Sequence, residues 1–162
     1  MSKLLIEPSP HIRSSMTTQK IMLHVLIALF PSVVAGTVIF GLRALLLIVL
    51  CATFSVLTEF VYNKIIKREQ TVSDLSAAVT GVIHGLNLPP ELPVYMAFIG
   101  CVAAIVVVKQ FFGGLGQNFA NPAITARIIL MLSFTSYMTT WSDPFAYANG
   151  TDAVASATPL VA

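Results

Sequence analysis

The sequence predicts an all-α integral membrane protein with about five transmembrane helices. Of its 162 residues, only 10% are charged and 56% are hydrophobic, and the mean hydropathy is +0.85. An average soluble domain has about 25% charged residues, and a water-soluble core cannot absorb so much apolar surface. We therefore expect the lipid bilayer to surround this chain. The net charge of +2 is too small to indicate a nucleic-acid partner.

The charged residues indicate where the predicted spans end. A hydrocarbon core of about 30 Å needs roughly 20 apolar residues in helical form. Lys20 and Arg43 bracket the first apolar run, which begins at Ile21 and is long enough to span rather than to be removed as a signal peptide. The second span is Ala44 to Tyr62, interrupted only by Glu59 near its end.

The third candidate segment, Asp74 to Leu88, is shorter than a usual span. It contains Gly81, His84 and Gly85, and it stops at Pro89-Pro90. Because glycine and proline weaken helices, the sequence leaves open whether this segment crosses as one straight helix, is broken, or is re-entrant.

Two further apolar runs complete the predicted bundle. Val94 to Val108 forms the fourth span and Lys109 closes it, while the fifth runs from Pro122 to about Trp141, an aromatic residue suited to the membrane interface. The predicted parts of the chain are an N-terminal cytoplasmic segment (1–20), a transmembrane bundle (21–141) and an outer segment (142–162) that ends in a new apolar run.

Basic residues are distributed unequally between the two predicted faces of the bundle. Arg43 stands alone on one face, and Arg127 lies within a span. Because loops rich in lysine and arginine stay in the cytoplasm, the richer face predicts an inside N-terminus and, after five crossings, an outside segment from Ser142 onward. The richer face holds Lys3, Arg13, Lys20, Lys64, Lys67, Arg68 and Lys109.

Ionisable residues within the predicted spans are candidates for function, because a charge in hydrocarbon is costly. Glu59, Asp74 and Arg127 fall at similar depth in this topology and are candidates for one buried charge cluster. A structural salt bridge, or snorkelling to the interface, is favoured over an ion path.

The histidines and cysteines give weaker signals. His24 and His84 are candidates for proton carriers, but a lone histidine in a helix is more often a packing residue. Cys51 and Cys101 lie far apart in apolar runs without metal-ligand spacing, so we predict neither a metal site nor a disulfide framework.

The end of the chain contains the string DAVASAT, from Asp152 to Thr158. It resembles the D-x-x-[ST]-[GS]-A-T signature of the RnfD and NqrB family of membrane subunits, in which the final threonine carries FMN through a phosphoester bond. The resemblance implies covalent FMN on Thr158, transferred from FAD by a separate flavin transferase. Asp152 would be read by that enzyme or its metal, while the small residues Ala155, Ser156 and Ala157 leave the backbone exposed to it. Ala155 departs from the signature, and Ser156 is a minor alternative acceptor. Without the resemblance, the string is a flexible loop rich in serine, alanine and threonine.

Two other stretches resemble the same family in the same order, namely Ser9 to Thr18 and Gly113 to Ala123. The second contains Asn118 and Asn121 directly before a predicted helix, where Asn121-Pro122 is typical of an N-cap followed by proline. Helix N–H groups and asparagine amides there suit the edge of a flavin ring. In the NqrB relatives a non-covalent riboflavin is associated with this N-x-x-N pattern, so the cap and a flavin contact are both open for these asparagines.

The glycines of the same stretch are candidate binding residues as well. Glycine lets the backbone approach a flat ligand closely, and three glycines precede Asn118 within a few residues. They are Gly113, Gly114 and Gly116.

The family resemblance implies a function that composition cannot supply. RnfD-like subunits belong to Rnf complexes of the bacterial cytoplasmic membrane, which transfer electrons between ferredoxin and NAD and couple this to Na⁺ or H⁺ translocation. Other membrane and soluble Rnf subunits would be the partners, and one subunit is not a complete enzyme. The family architecture is two five-helix repeats of inverted topology, of which this chain resembles the N-terminal half.

Two other function classes fit the apolar pattern. A secondary transporter or channel uses broken helices, glycine loops and inverted repeats in the same way, but it has no need of the DAVASAT string. A structural membrane partner with a vestigial flavin loop is consistent with the departure at Ala155.

Overall fold

The computed structural model describes residues 16–68, 70–118, 120–148 and 155–156. These residues are almost entirely helical. The main helices are α1 (Thr18–Phe40), α2 (Leu42–Ile66), α3 (Ser76–Leu86), α4 (Val94–Gln110), α5 (Pro122–Ser133) and α6 (Thr135–Met138). Short 3₁₀ turns occupy Val72–Asp74 and Ala146–Ala148, and the two-residue strands β1 (Trp141–Ser142) and β2 (Ala155–Ser156) pair antiparallel.

Helices α1 and α2 have the properties of membrane spans. Among the described residues, these two helices, with 23 and 25 residues, are long and apolar enough to cross a bilayer. None of the residues of α1 is buried by the part of the chain that the structure describes, so its apolar surface is left for lipid or for another protein segment. Helices α3, α4 and α5 are apolar but shorter, so five crossings stay a prediction.

The packing of α3 against α2 depends on two glycines. A Cβ on Gly81 would lie 2.6 Å from the Cα of Ala52, and one on Gly85 would lie 2.7 Å from the Cα of Ile48. Small residues four apart let membrane helices approach this closely. Gly81 and Gly85 therefore do not break the third segment, which is one unbroken but short helix.

The remaining helices alternate in direction around α3. Gly100 of α4 faces His84, and Lys109 at the other end of α4 bonds Ser76 at the start of α3, so α4 runs antiparallel to α3. Helix α5 runs parallel to α3, because the carbonyl of Ala123 lies beside His84 and Arg127 reaches Asn87. The bundle thus has a Glu59 end, where α2 and α4 finish, and an Asn87 end, where α3 finishes.

The apolar core lies between α2, α4 and α5. Its members are buried or nearly buried, and Phe54 and Phe134 pack against it. Cys51 and Cys101 are both free thiols buried inside this core. The core residues are Leu47, Cys51, Leu88, Leu92, Met96, Ala97, Cys101, Leu130 and Met138.

The fourth segment ends close to its predicted end, whereas the fifth differs from the sequence prediction. Helix α4 ends at Gln110, one residue beyond Lys109, and it is a π-helix over Ala103–Gln110. The fifth segment is not one helix to Trp141, because the backbone leaves helical geometry at Phe134 (φ −133°, ψ 51°) before the short α6. No proline or glycine stands at this break, and Phe134 packs against the apolar core.

Candidate functional site

A buried polar network joins α2, α3 and α4 at the Glu59 end. Glu59 Oε1 accepts hydrogen bonds from Lys109 Nζ at 2.8 Å, Gln110 Nε2 at 2.9 Å and Thr71 Oγ1 at 2.8 Å. The side chain of Glu59 is 0% exposed and that of Lys109 is 2% exposed. An ion pair this deeply buried needs several hydrogen bonds to offset the loss of hydration.

The network continues from Lys109 to the start of α3. Lys109 Nζ also donates to Ser76 Oγ at 2.5 Å, and Ser76 in turn donates its hydroxyl to Asp74 Oδ1 at 2.5 Å. Asp74 Oδ1 accepts from the Ser76 backbone N–H as well, at 2.8 Å, so it caps the first turn of α3. Two acidic side chains therefore flank one lysine.

Lys109 and Gln110, which both donate to Glu59, are the last two residues of the π-helical segment of α4. Both residues are buried, at 2% and 4% exposure. π-Turns are frequent at functional sites.

The predicted charge cluster is only partly assembled. Glu59 and Asp74 belong to the network through Lys109 and Ser76, whereas Arg127 donates to Asn87 Oδ1 at 3.1 Å towards the Asn87 end. Lys109, predicted to close the fourth span, lies in the last turn of α4 and is also a buried member of the cluster. A single lysine at the end of an apolar run gives no sign that it turns inward.

A cavity of about 280 Å³ adjoins this network and is called the Asn118 cavity here. Its polar lining includes the two residues that connect to Glu59, namely Ser76 and Lys109. The volume is close to the lower end of the range for ligand pockets, about 300 Å³, which suits a fused ring system. Its lining includes Met22, Ser76, Lys109, Leu115, Asn118 and Asn121.

Asn121 caps α5, as its position before Pro122 predicts. Asn121 Oδ1 accepts from the backbone N–H groups of Ala123 at 3.0 Å and Ile124 at 3.4 Å. Since Pro122 has no N–H, this cap takes up the first donors of α5, and the expectation of free N–H groups there is wrong. The cap uses only the amide oxygen, so the amide nitrogen can still donate to a ligand.

Asn118 fastens the glycine-containing loop to the end of α4. With its amide oriented to suit its neighbours, Asn118 Nδ2 donates to the carbonyl oxygens of Gly114 at 3.0 Å and Lys109 at 3.2 Å. In this orientation its amide oxygen keeps its capacity to accept a hydrogen bond. The two asparagines both lie on the lining of one cavity.

The loop glycines have a conformational reason for being glycine. Gly113, Gly114 and Gly116 have φ values of 109°, 98° and 86°, which other residues rarely adopt. A Cβ at Gly114 or Gly116 would meet nothing within 4 Å, so close packing does not explain these two.

A second cavity of about 280 Å³ lies at the Asn87 end and is called the Arg127 cavity here. Ser142 of β1, which lines it, pairs with Ala155 of β2. One of the residues that line this cavity is thus paired with β2, whose residues Ala155 and Ser156 belong to the DAVASAT string. Its lining includes Phe40, Asn87, Leu88, Arg127, Thr140 and Ser142.

Several predicted residues of the flavin-attachment string lie outside the described residues, namely Asp152, Ala157 and Thr158. Ser156 is described only as part of β2, where it pairs with Trp141. Covalent attachment at Thr158 therefore stays a prediction.

The histidines differ in their surroundings. His24 lies exposed on α1, whereas His84 is fully buried, with Nδ1 3.3 Å from the carbonyl oxygen of Ala123. Among the described residues, His84 Nε2 has no hydrogen-bond partner, and no group of three His, Cys, Asp or Glu side chains could hold a metal ion.

Comparison with known proteins decides the family. Residues 5–162 match the model of the NQR2, RnfD, RnfE family, which is nearly the whole chain. The chain belongs to the NQR2, RnfD, RnfE family. The two long apolar helices, α1 and α2, are consistent with a membrane protein.

Three family relatives illustrate the likeness. The D subunit of the Na⁺-translocating ferredoxin:NAD⁺ oxidoreductase complex of Acetobacterium woodii is 47% identical over 157 residues, covering 97% of this chain and 48% of the relative. Its counterpart in the proton-translocating complex of Clostridium ljungdahlii is 43% identical over 155 residues, covering 96% of this chain and 46% of the relative. The D subunit of the ion-translocating oxidoreductase complex of Shewanella pealeana is 38% identical over 142 residues, covering 86% and 41%.

The chain spans about half the length of the curated relatives it matches. The resemblance seen in the motifs is thus confirmed for the family. The names of these relatives describe each of them as the D subunit of an oxidoreductase complex.

Proposed function

We propose that this chain belongs to a flavin-carrying membrane subunit of an Rnf-type complex, which transfers electrons between ferredoxin and NAD and couples them to Na⁺ or H⁺ translocation. The observation that carries the proposal is the likeness over 97% of the chain to a subunit of a complex named for this reaction. Other Rnf membrane and soluble subunits, with a flavin transferase for maturation, would be its partners in a bacterial cytoplasmic membrane.

The covalent cofactor in this proposal is FMN, esterified to the hydroxyl of Thr158. Thr158 follows Ala155 by three residues, and three residues of chain span at most about 11 Å. Because Ala155 pairs with Ser142 on the rim of the Arg127 cavity, that cavity is within reach of a flavin attached there. The Arg127 guanidinium and the Asn87 amide would offer donors to the polar edge of the ring.

A second, non-covalent flavin of the riboflavin type is proposed for the Asn118 cavity. The residues fit an isoalloxazine ring, because Met22 and Leu115 supply apolar walls while Asn118 and Asn121 supply an acceptor and a donor. When bound, such a flavin would carry electrons one or two at a time. The protein would hold the ring in place and shield it from water.

Mass spectrometry of matured protein tests the covalent part of the proposal. The full-length protein is expressed with its flavin transferase, denatured and separated by electrophoresis, and we expect in-gel flavin fluorescence and an FMN-sized mass addition on the peptide containing Thr158. The Thr158→Ala variant should lose both signals, while the matched control Ser156→Ala should keep them.

The same measurement separates the alternatives. A colourless wild-type protein, without fluorescence or added mass, would contradict the flavin proposal and favour a transporter or a structural partner. Fluorescence that persists in Thr158→Ala and disappears in Ser156→Ala would show that the serine is the acceptor.

A further inference from the structure

The Glu59–Lys109 ion pair is poorly arranged for a purely structural role. Glu59 Oε1 receives three donors, while the buried Oε2 has no hydrogen-bond partner among the described residues. A buried pair is a weak source of stability even when every lone pair is satisfied, and an unsatisfied buried oxygen makes it weaker. Its position therefore needs another explanation.

The pair has an orientation relative to the Asn118 cavity. Lys109 lines this cavity, and so does Ser76, whose hydroxyl accepts from Lys109 Nζ at 2.5 Å. Glu59 is not among the residues that line the cavity. Lys109 is therefore the residue of the pair that lies next to the cavity, and its Nζ is bonded to Ser76, another lining residue, whereas Glu59 is not part of the lining.

We propose that Lys109, held by Glu59 and Ser76, is a positioning residue that sets the reduction potential of the electron carrier in the Asn118 cavity. The inference rests on the proposed non-covalent flavin. Reduction by an iron–sulfur donor adds one negative charge to the flavin in two cases, when one electron arrives alone and when two electrons arrive with one proton. Lys109 would face this added charge in both cases. In a poorly hydrated interior, such a charge interacts far more strongly with a nearby ammonium than it would in water.

Removing the positive charge and removing the negative charge of the pair should shift the reduction potential in opposite directions. A purely structural role predicts no such opposite shifts. Removing the ammonium in Lys109→Met leaves the Glu59 carboxylate uncompensated and should lower the midpoint potential of the non-covalent flavin. Removing the carboxylate in Glu59→Gln leaves the ammonium uncompensated and should raise it. The Lys109→Arg variant keeps the charge and should stay near the parent value.

The experiment is a spectroelectrochemical titration of the full-length chain in detergent, in a Thr158→Ala background that removes the covalent flavin. Flavin content is measured on the same samples after denaturation. Shifts of opposite sign with retained flavin support the inference. Unchanged potentials, or shifts of the same sign in both variants, overturn it while leaving the proposed flavin intact.

Ser76→Ala keeps the inference testable if the charge variants fail to fold, because it removes no charge. It removes only the two hydrogen bonds of the Ser76 hydroxyl, one from Lys109 and one to Asp74. Without the Ser76 hydroxyl, the Lys109 ammonium can move towards Glu59, so this variant should lower the midpoint potential by less than Lys109→Met does. An unchanged potential would contradict the inference. Absence of non-covalent flavin from the parent protein would instead refute the proposed flavin, and this inference with it.

Discussion

A Cβ on Gly81 would lie 2.6 Å from the Cα of Ala52, so helices α2 and α3 touch backbone to backbone at this point. The Cys51 carbonyl oxygen would be equally close to that Cβ, at 2.6 Å. Backbone atoms cannot move aside as a side-chain end can. The contact therefore holds the start of α3, with Asp74 and Ser76, against the helix that carries Glu59.

We expect Gly81→Ala to destabilise the protein by about 1–3 kcal/mol, the usual cost of inserting a methyl group into a packed interior. Thermal denaturation of the full-length protein in detergent measures this effect. Gly36→Ala is the matched control, because its Cβ would meet only Leu86 Cδ2 at 3.9 Å. Since alanine favours a helix over glycine by about 1 kcal/mol, the control should be neutral or stabilising. An equal loss in both variants would contradict the close packing of α2 and α3.

The ion pair predicts strong non-additivity. Lys109→Met alone strands a buried carboxylate and should cost about 3–5 kcal/mol. The double variant Lys109→Met with Glu59→Gln removes both charges and leaves an acceptor for Thr71 and Gln110, so it should be much closer to the parent in stability. Denaturation midpoints of the two single variants and the double variant form a double-mutant cycle. Additive losses would show that the two residues do not interact.

The sequence predicts much of this molecule where the signal is local. The apolar runs predict the helices, and Asn121-Pro122 predicts the start of α5, because capping depends on neighbouring residues alone. The inward course of Lys109 is not predictable in this way, since it depends on Glu59, fifty residues earlier in the chain. The break at Phe134 depends likewise on packing against the core rather than on a local breaker.

Arg127 is expected to stabilise the Asn87 end of the bundle. Its partly buried guanidinium donates to Asn87 Oδ1 at 3.1 Å, and hydrogen bonds to charged groups contribute about 1.5–3 kcal/mol. Because the guanidinium is partly exposed to solvent, its contribution is smaller, and we expect Arg127→Ala to lower the free energy of unfolding by about 1 kcal/mol. Arg43→Ala is the control, because Arg43 makes an exposed bond of 3.0 Å to the carbonyl oxygen of Glu91. A larger loss for Arg43→Ala in thermal denaturation would show that the Asn87 contact contributes little.

The two roles of Asn121 can be separated by substitution. Asn121→Asp keeps an oxygen to accept from Ala123 and Ile124, so α5 should remain capped, but it removes the amide donor proposed for the flavin. Asn121→Ala removes both the capping oxygen and the amide donor, and it should also lower the free energy of unfolding by about 1 kcal/mol. We expect less non-covalent flavin in both variants and lower stability only in Asn121→Ala. Asn118→Ala should also reduce the content of this flavin, because it removes the hydrogen bonds that Asn118 donates to the carbonyl oxygens of Gly114 and Lys109.

Flavin released on denaturation of the full-length protein, quantified beside its thermal stability, checks these outcomes. Gln117→Ala is the matched control, since Gln117 is an exposed amide of the same loop and does not line the Asn118 cavity. The covalent flavin should persist in every variant, because its attachment residue lies in another part of the chain. Full flavin content in Asn121→Asp would limit Asn121 to capping, whereas simultaneous loss of both flavins would indicate misfolding.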